Sequence, residues 1–444
     1  LLEHFGMDNT QFLNYCHELN EKELVDFHYD KVVKISDQSF GNYILEYILI
    51  EKKNISISGI LNLGFPKYKN KIIYALNTII DLFRTDDIEK YIEFQVNKSW
   101  ESAESSLQGE YLKCFYNLNM EKALQMLKNS IDEMEAQTVD MSTFDFDKHK
   151  NYHSINNDQI SILGGFKYSK YYRDAIELLL YLFDVRPDLV MELYFTFTEK
   201  YSFDLHSYDL DYEKEYQLVK YLWEFSNYQK NDVHFLILNI LDNMLDCQIH
   251  KTEPGDNGKS YTMVSFSVAM SPGTEKLRRL IWQILSELYT NELYQKKIHS
   301  ILSRYRGWGL DSKQIVPIIE ADMKCIKELF VDQWDKLSFE QSEVLKKIIT
   351  HAERLKINYN NAFDRYKSNR DFMLYDLLTC EHYSKGNWIE EELKRKQMIE
   401  AAISEYSIED FDYLFKLCKK LETNGSKEDW LIGKSIIHIF STLQ

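Results

Sequence analysis

The residues that come nearest to a chemical motif are Gly255-Asp256-Asn257-Gly258-Lys259-Ser260. A phosphate loop needs Gly, four residues, then Gly-Lys-Ser/Thr, so that successive backbone N–H groups wrap the phosphates. Here Glu253 stands where the first glycine belongs, and a carboxylate there repels phosphate. The residues that follow alternate as a strand does. Tyr261, Met263, Ser265, Ser267 and Ala269 share one face; Thr262, Val264, Phe266, Val268 and Met270 share the other. With Pro254, Gly255, Asn257 and Gly258 supplying turn chemistry, residues 247–271 read as a β-hairpin.

Other reactive residue types lie in unpromising company. Asp145, Asp147, His149 and His153 have the side chains of a metal site, as do Asp204, His206, Asp209 and Asp211. A metal site needs convergent ligands that further hydrogen bonds hold in place, and both runs read instead as solvated acidic loops. His17, His28 and His234 stand alone and read as structural or surface residues. Cys380-Glu381-His382 brings a thiol near an imidazole, but without the orienting third group of a nucleophilic pair. The six cysteines, Cys16, Cys114, Cys247, Cys325, Cys380 and Cys418, are scattered with no CxxC spacing. They read as buried, reduced thiols of a cytoplasmic protein. Catalytic, cofactor-binding and metal-binding residues are therefore assigned as none.

Binding is better represented. A projecting hairpin carries unpaired strand edges, which can accept a partner strand. Arg304, Arg306 and Trp308 form a cationic-aromatic group at a turn, suited to nucleic acid or an acidic partner, although pairing with neighbouring carboxylates is the ordinary role of such arginines. Tyr261, Met263 and Phe266 of the hairpin, with Arg304, Arg306 and Trp308, are the candidate partner-binding residues.

The elements that position these residues are helical. Only 5 prolines and 15 glycines occur in 444 residues, too few for the many turns of a sheet-rich fold. A net charge of −17 argues against general nucleic-acid binding, which depends on Lys and Arg neutralising phosphates. No signal peptide is visible, and no apolar run approaches the roughly 20 residues of a membrane-spanning helix. The chain opens on Leu1 in what looks like mid-domain sequence, so an upstream region is expected.

Helix signals recur along the chain. Asn20, with Glu23 three residues later, predicts a helix start, as does Ser338 with Gln341. Asp37 or Ser36 caps a helix through Tyr43 and Tyr47. In residues 161–195, Ala175, Leu178, Leu179, Leu182 and Phe183 recur at helical spacing until Pro187 stops the helix. A second helix follows, and such a pair cannot bury its own apolar face without stacked neighbours. The expected fold is all-α: a degenerate TPR-like helical solenoid with one inserted β-hairpin. A winged-helix-like unit is expected over residues 1–100, a first solenoid half over 101–246, the hairpin over 247–271 and a second half over 272–444.

Several segments together resemble the region downstream of the nucleotide-binding module in bacterial STAND NTPases of the antiviral Avs type. They are VVKISDQSFGNYILEYILIEKK (residues 32–53), FPKYKNKIIYALNTIIDLF (65–83) and ILGGFKYSKYYRDAIELLLYLF (162–183), then the hairpin running into PGTEKLRRLIWQILSELY (272–289), and KQIVPIIEADM (313–323). The resemblance implies an α-solenoid sensor that binds a phage protein such as terminase or portal. It further implies ATP-dependent homo-oligomerisation and activation of an N-terminal effector. These residues hold neither a Walker A nor a Walker B motif. ATP and Mg are therefore expected only in an upstream domain, and no catalytic position is carried over. The alternative expectation is a helical scaffold for host protein–protein interaction without enzymatic activity.

Overall fold

A computed structural model describes residues 6–440, apart from 30, 84, 151–153, 230–231, 255–260, 306–311, 331–336, 358–368, 380–387, 405, 425–431, 434 and 438–439. The described chain is mostly helical and falls into two compact units. The first comprises residues 1–134 and 157–175; the second comprises residues 135–156 and 176–444.

In the first unit, α1 (Asn9–Glu21) begins at Asp8, whose side chain accepts from the Gln11 N–H at 2.8 Å while the Gln11 side chain accepts from the Asp8 N–H. The helix start expected at Asn20 is corrected: Asn20 lies in the last turn of α1, and its Oδ1 accepts the Phe27 N–H at 2.9 Å. Glu23 then turns the chain at a φ of 58°. Strand β1 (Val25–His28) follows and pairs antiparallel with β2 (Val32–Ile35), forming a hairpin the sequence did not announce. A short amide side chain that bonds the returning backbone competes with helix continuation, so the same residue suits a helix end as well as a start.

Asp37 caps α2 (Gln38–Glu46) as expected, accepting from the Phe40 N–H at 2.7 Å. After α3 (Ile57–Gly64) and α4 (Lys69–Leu82) comes α5 (Asp86–Ser102). Helices α6 (Ser105–Phe115) and α7 (Met120–Asp132) complete this run. Residue 100 is not a boundary between compact units. Helix α5 runs through it, and the fully buried Trp100 stacks on Tyr111 of α6 with ring centroids 6.4 Å apart. Phe65 packs on the same Tyr111 ring at 4.4 Å, and the Tyr111 hydroxyl hydrogen-bonds Ser99 at 2.7 Å. Buried aromatic packing of this kind adds to simple area burial, and the hydroxyl has the partner it needs.

Next come α8 (Phe146–His149), α9 (Asp158–Leu163) and α10 (Tyr172–Val185). The apolar residues of α10 are buried as their spacing predicts, with Leu179, Leu182 and Phe183 wholly inaccessible. Arg186 closes a bidentate pair on Asp188 at 2.8 and 2.7 Å across the Pro187 break.

The stacking principle is clearest in the second unit. Helices α11 (Val190–Phe195), α13 (His234–Met244), α15 (Glu292–Arg304) and α17 (Phe339–Arg354) pack successively on one another as one row. Helices α12 (Glu213–Ser226), α14 (Pro272–Tyr289) and α16 (Ser312–Leu329) form a second row, with α12 against α13 and α14 against α15. Alternate helices thus stack in parallel layers, as helix-pair repeats do. The Ser338–Gln341 capping box at the start of α17 is present as expected. Beyond it, α18 (Arg370–Thr379), α19 (Trp388–Ile403) and α20 (Ile408–Asn424) share a core that includes Leu374, Leu378, Ile403, Leu414 and Leu421.

Between α13 and α14 lies the expected hairpin, β3 (Gln248–Pro254) paired antiparallel with β4 (Tyr261–Ser267). A tight clasp fixes the start of α14 beside it. Asp211 and Tyr212 both adopt left-handed backbone conformations. The Asp211 carboxylate accepts the Gly273 N–H at 3.0 Å, and the Tyr212 hydroxyl accepts the Ala269 N–H at 2.9 Å. A Cβ on Gly273 would sit 1.7 Å from the Asp211 carbonyl oxygen, so only glycine allows this approach. Gly273→Ala is expected to lower stability by about 1–3 kcal/mol in urea denaturation, as overpacked sites do. By contrast Gly109→Ala, exposed within α6 with nothing within 4 Å, should raise it by about 0.5–1 kcal/mol.

Candidate functional site

The most concentrated chemistry is a charged cluster in the second unit, built on the ends of α13 and α15. Arg304 closes α15. Its guanidinium donates to Asp242 of α13 at 2.6 Å and to both carboxylate oxygens of Asp147 at 3.1 and 3.2 Å. Lys150 pairs with Asp147 at 3.0 Å and lies 3.9 Å from Asp242. Lys297, about two turns earlier on α15, donates to the Asn239 side chain at 2.6 Å. Of these groups Lys150, Asp242 and Arg304 line a pocket of about 180 Å³, together with Tyr194, Asp246 and Tyr305 among others.

The cluster sorts its own charges. Partial burial opposes the charge on Asp147, but Lys150, Arg304 and Lys297 outweigh it and hold the carboxyl down at about 2. Burial raises Asp242 despite the same cations. Lys297 is lowered to about 8 by burial, which attraction to Asp242 only partly offsets. The Tyr194 phenol is raised by burial and the nearby carboxylates, so it stays protonated and able to donate. Opposite shifts on neighbouring groups show a site where desolvation competes with ion pairing.

Behind the pocket lies a second, fully enclosed network. Arg278 of α14 and Asp322 of α16 are 3% and 1% exposed, so their pairing is not moderated by water. Arg278 donates through Nε and Nη2 to Asp322 Oδ2 at 3.1 and 2.6 Å. Its Nη1 donates to the carbonyl of Met244, at the C-terminal end of α13, at 3.1 Å. Cation and helix C-terminus attract each other there. Asp322 also accepts from the Trp282 indole at 2.7 Å and from the Tyr305 hydroxyl at 2.7 Å. Tyr305 is thus shared: it lines the pocket on one side and holds the ion pair on the other. Burial and the adjacent carboxylate keep its hydroxyl protonated, and burial keeps the neighbouring Cys247 thiol protonated.

Of the expected binding residues, Arg304 falls in this cluster, with its charge engaged by carboxylates. Arg306 and Trp308 lie outside the described residues. The hairpin residues separate. Met263 is 77% exposed and shares the outer face with His250, Thr252 and Ser265, whereas Phe266 is half-buried on the inner face with Ile249. Tyr261 pairs with Pro254 at the far end of the described ladder. Alternation predicted these two faces, so grouping Met263 with Phe266 mixed an outward side chain with an inward one.

The remaining sequence candidates find ordinary partners. Asp145 caps α8, and His149 stacks on Phe144 at 5.3 Å; His153 lies outside the described residues. Asp204 and Asp211 bond backbone N–H groups within and beside their loop. His234 pairs with Asp232 at 3.2 Å, and Tyr294 bonds both. His17 packs edge-on to Phe27, and His28 is exposed. Cys380, Glu381 and His382, like residues 255–260, lie outside the described residues; the segment after Ser260 is a strand, not the helix that follows a phosphate loop. Among the described residues no group of three or more His, Cys, Asp or Glu is placed to hold a metal ion. Nor is any of their helices long and apolar enough to cross a membrane. No protein-family model and no curated protein matches the chain.

The buried pair makes a quantitative demand. Asp322→Ala strands the Arg278 guanidinium in the interior and should cost about 3–5 kcal/mol in equilibrium denaturation. The double replacement Arg278→Met with Asp322→Leu removes both charges and should recover most of that loss. A double replacement as unstable as Asp322→Ala would show that shape, not charge pairing, governs the site.

Proposed function

We propose that this chain is a partner-binding helical-repeat module, the ligand-sensing region of an antiviral STAND NTPase that engages a phage packaging or portal protein. The observation that carries the binding part is the pair of interlocked helix rows with the β3–β4 hairpin emerging between α13 and α14. Stacked helix pairs offer extended surfaces from a stiff support. The hairpin adds an outward face with Met263 and strand edges that pair with no further strand among the described residues, the geometry used for strand addition. The phage partner and the antiviral role are supported by the resemblance of the five segments quoted above. ATP hydrolysis, homo-oligomerisation and effector chemistry belong, in this reading, to the assembled protein; no residue here is assigned to them.

A pull-down of the purified chain against a panel of phage terminases and portals tests this. Saturable binding to one of them is expected. Met263→Asp should weaken it at least about tenfold, or 1.4 kcal/mol, with an unchanged Tm. Binding to none of the panel, alongside constitutive host partners, would replace the sensor reading with that of a host scaffold.

A further inference from the structure

Within the pocket at the ends of α13 and α15, one carboxylate makes no hydrogen bond or ion pair among the described residues. Arg304 and Lys150 are engaged with Asp147 and Asp242. Asp246, just beyond α13, lines the same pocket, and its carboxyl has no hydrogen bond or ion pair among the described residues. Tyr194, Leu245, Ile301 and Tyr305 also contribute to the lining, with the Lys150 ammonium 5.6 Å from the centre of the Tyr194 ring. At about 180 Å³ the space is below the 300–1,000 Å³ typical of drug-sized ligands and suits one extended side chain.

We propose that this pocket receives a single basic side chain of a protein partner, its ammonium or guanidinium paired with Asp246. A chain with a net charge of −17 attracts basic segments, which favours such an encounter. The proposal rests on the partner-binding reading only for the source of the cation; the pocket stands on its own geometry.

The pH behaviour has a definite sign. Groups around Asp246 are Asp242 of α13, Lys150 beside α8, Tyr194 of α11, Arg304 and Tyr305 at the end of α15 and, behind them, Arg278 of α14. Burial, then Asp242, pushes Asp246 up to about 6, against the pull of Arg278, Lys150 and Arg304. Asp246 is exposed to solvent at the pocket, so water moderates the shift and its direction carries the argument. An ordinary Asp titrates near 3.9. Between that value and the folded one, the folded chain keeps a proton that the unfolded chain has released, so this group's contribution to stability falls as pH rises through the window. A bound cation removes the penalty and itself requires the ionised carboxylate. Affinity is therefore lost as pH falls through about 6.

The test titrates the purified chain with agmatine and with the peptide Gly-Gly-Arg-Gly-Gly, following thermal stabilisation at constant ionic strength. Both should bind saturably at pH 7.5 and about tenfold more weakly at pH 5, as expected for a carboxylate titrating near 6. Asp246→Asn and Asp246→Ala should weaken binding at pH 7.5 by a similar factor and flatten the pH dependence. Binding of agmatine without the peptide would overturn the assignment to a protein side chain. No saturable binding by either probe, or binding that is the same in the variants, would overturn the pocket. Neither outcome depends on whether a phage protein is captured in the pull-down.

Discussion

The second unit is organised around a guanidinium almost wholly withdrawn from water. Arg278 joins α14 to Asp322 on α16, donates to the Met244 carbonyl at the end of α13, and lies against Cys247 at the root of the hairpin. Through Asp322 it also reaches Tyr305 after α15. Five segments from both helix rows therefore meet at one pair of charges. Burying such a pair is expensive unless every polar atom is answered, and here the carboxylate accepts from Arg278, Trp282 and Tyr305 together. A planar guanidinium, with its fixed fork of donors, can serve a carboxylate and a helix end at once, which a lysine ammonium cannot do with the same geometry. Apolar packing alone tolerates sliding of one helix over the next. A satisfied polar network adds directional contacts among α13, α14 and α16 that apolar packing lacks.

This arrangement separates two kinds of charge. The inner pair is dry and complete. The outer cluster of Asp147, Lys150, Asp242, Asp246, Lys297 and Arg304 reaches an open pocket through Lys150, Asp242, Asp246 and Arg304, and its groups pull one another's proton affinities in opposite directions. Tyr305 stands between them, giving its hydroxyl to the interior while its side chain lines the pocket wall. Rigidity behind a polar pocket is what a recognition surface needs, because a preorganised site loses less freedom on binding.

Much of the architecture was legible in the sequence because it is written locally. Few prolines and glycines, the apolar spacing of α10, the Ser338–Gln341 box and the alternation of residues 261–270 each depend on neighbours only a few positions apart. The β1–β2 hairpin was not legible, since four-residue strands are too short to display a period and Asn20 suits both ends of a helix. The boundary expected near residue 100 failed for a related reason: the continuity of α5 and the stacking of Trp100 on Tyr111 are facts of packing. Arg278 and Asp322 stand 44 positions apart, and Asp147 and Arg304 stand 157 apart, so nothing local marks them as partners. Arg304 was singled out as a cation at a turn; its carboxylate partners became visible only once α13 and α15 were side by side. Asp246 carried no signal at all, because what sets it apart, a carboxylate without an ion pair among the described residues, depends on which side chains the fold brings near it.

Native-state hydrogen exchange on the whole chain tests the organising role of Arg278 most directly. If the buried pair locks the two rows, the slowest amides of α13, α14 and α16 should exchange with one common opening free energy, equal to that of the second unit as a whole. Outer-face amides of β4 should open far more readily. Separate opening free energies for α14 and α16, with α16 exchanging while α14 remains protected, would contradict the account.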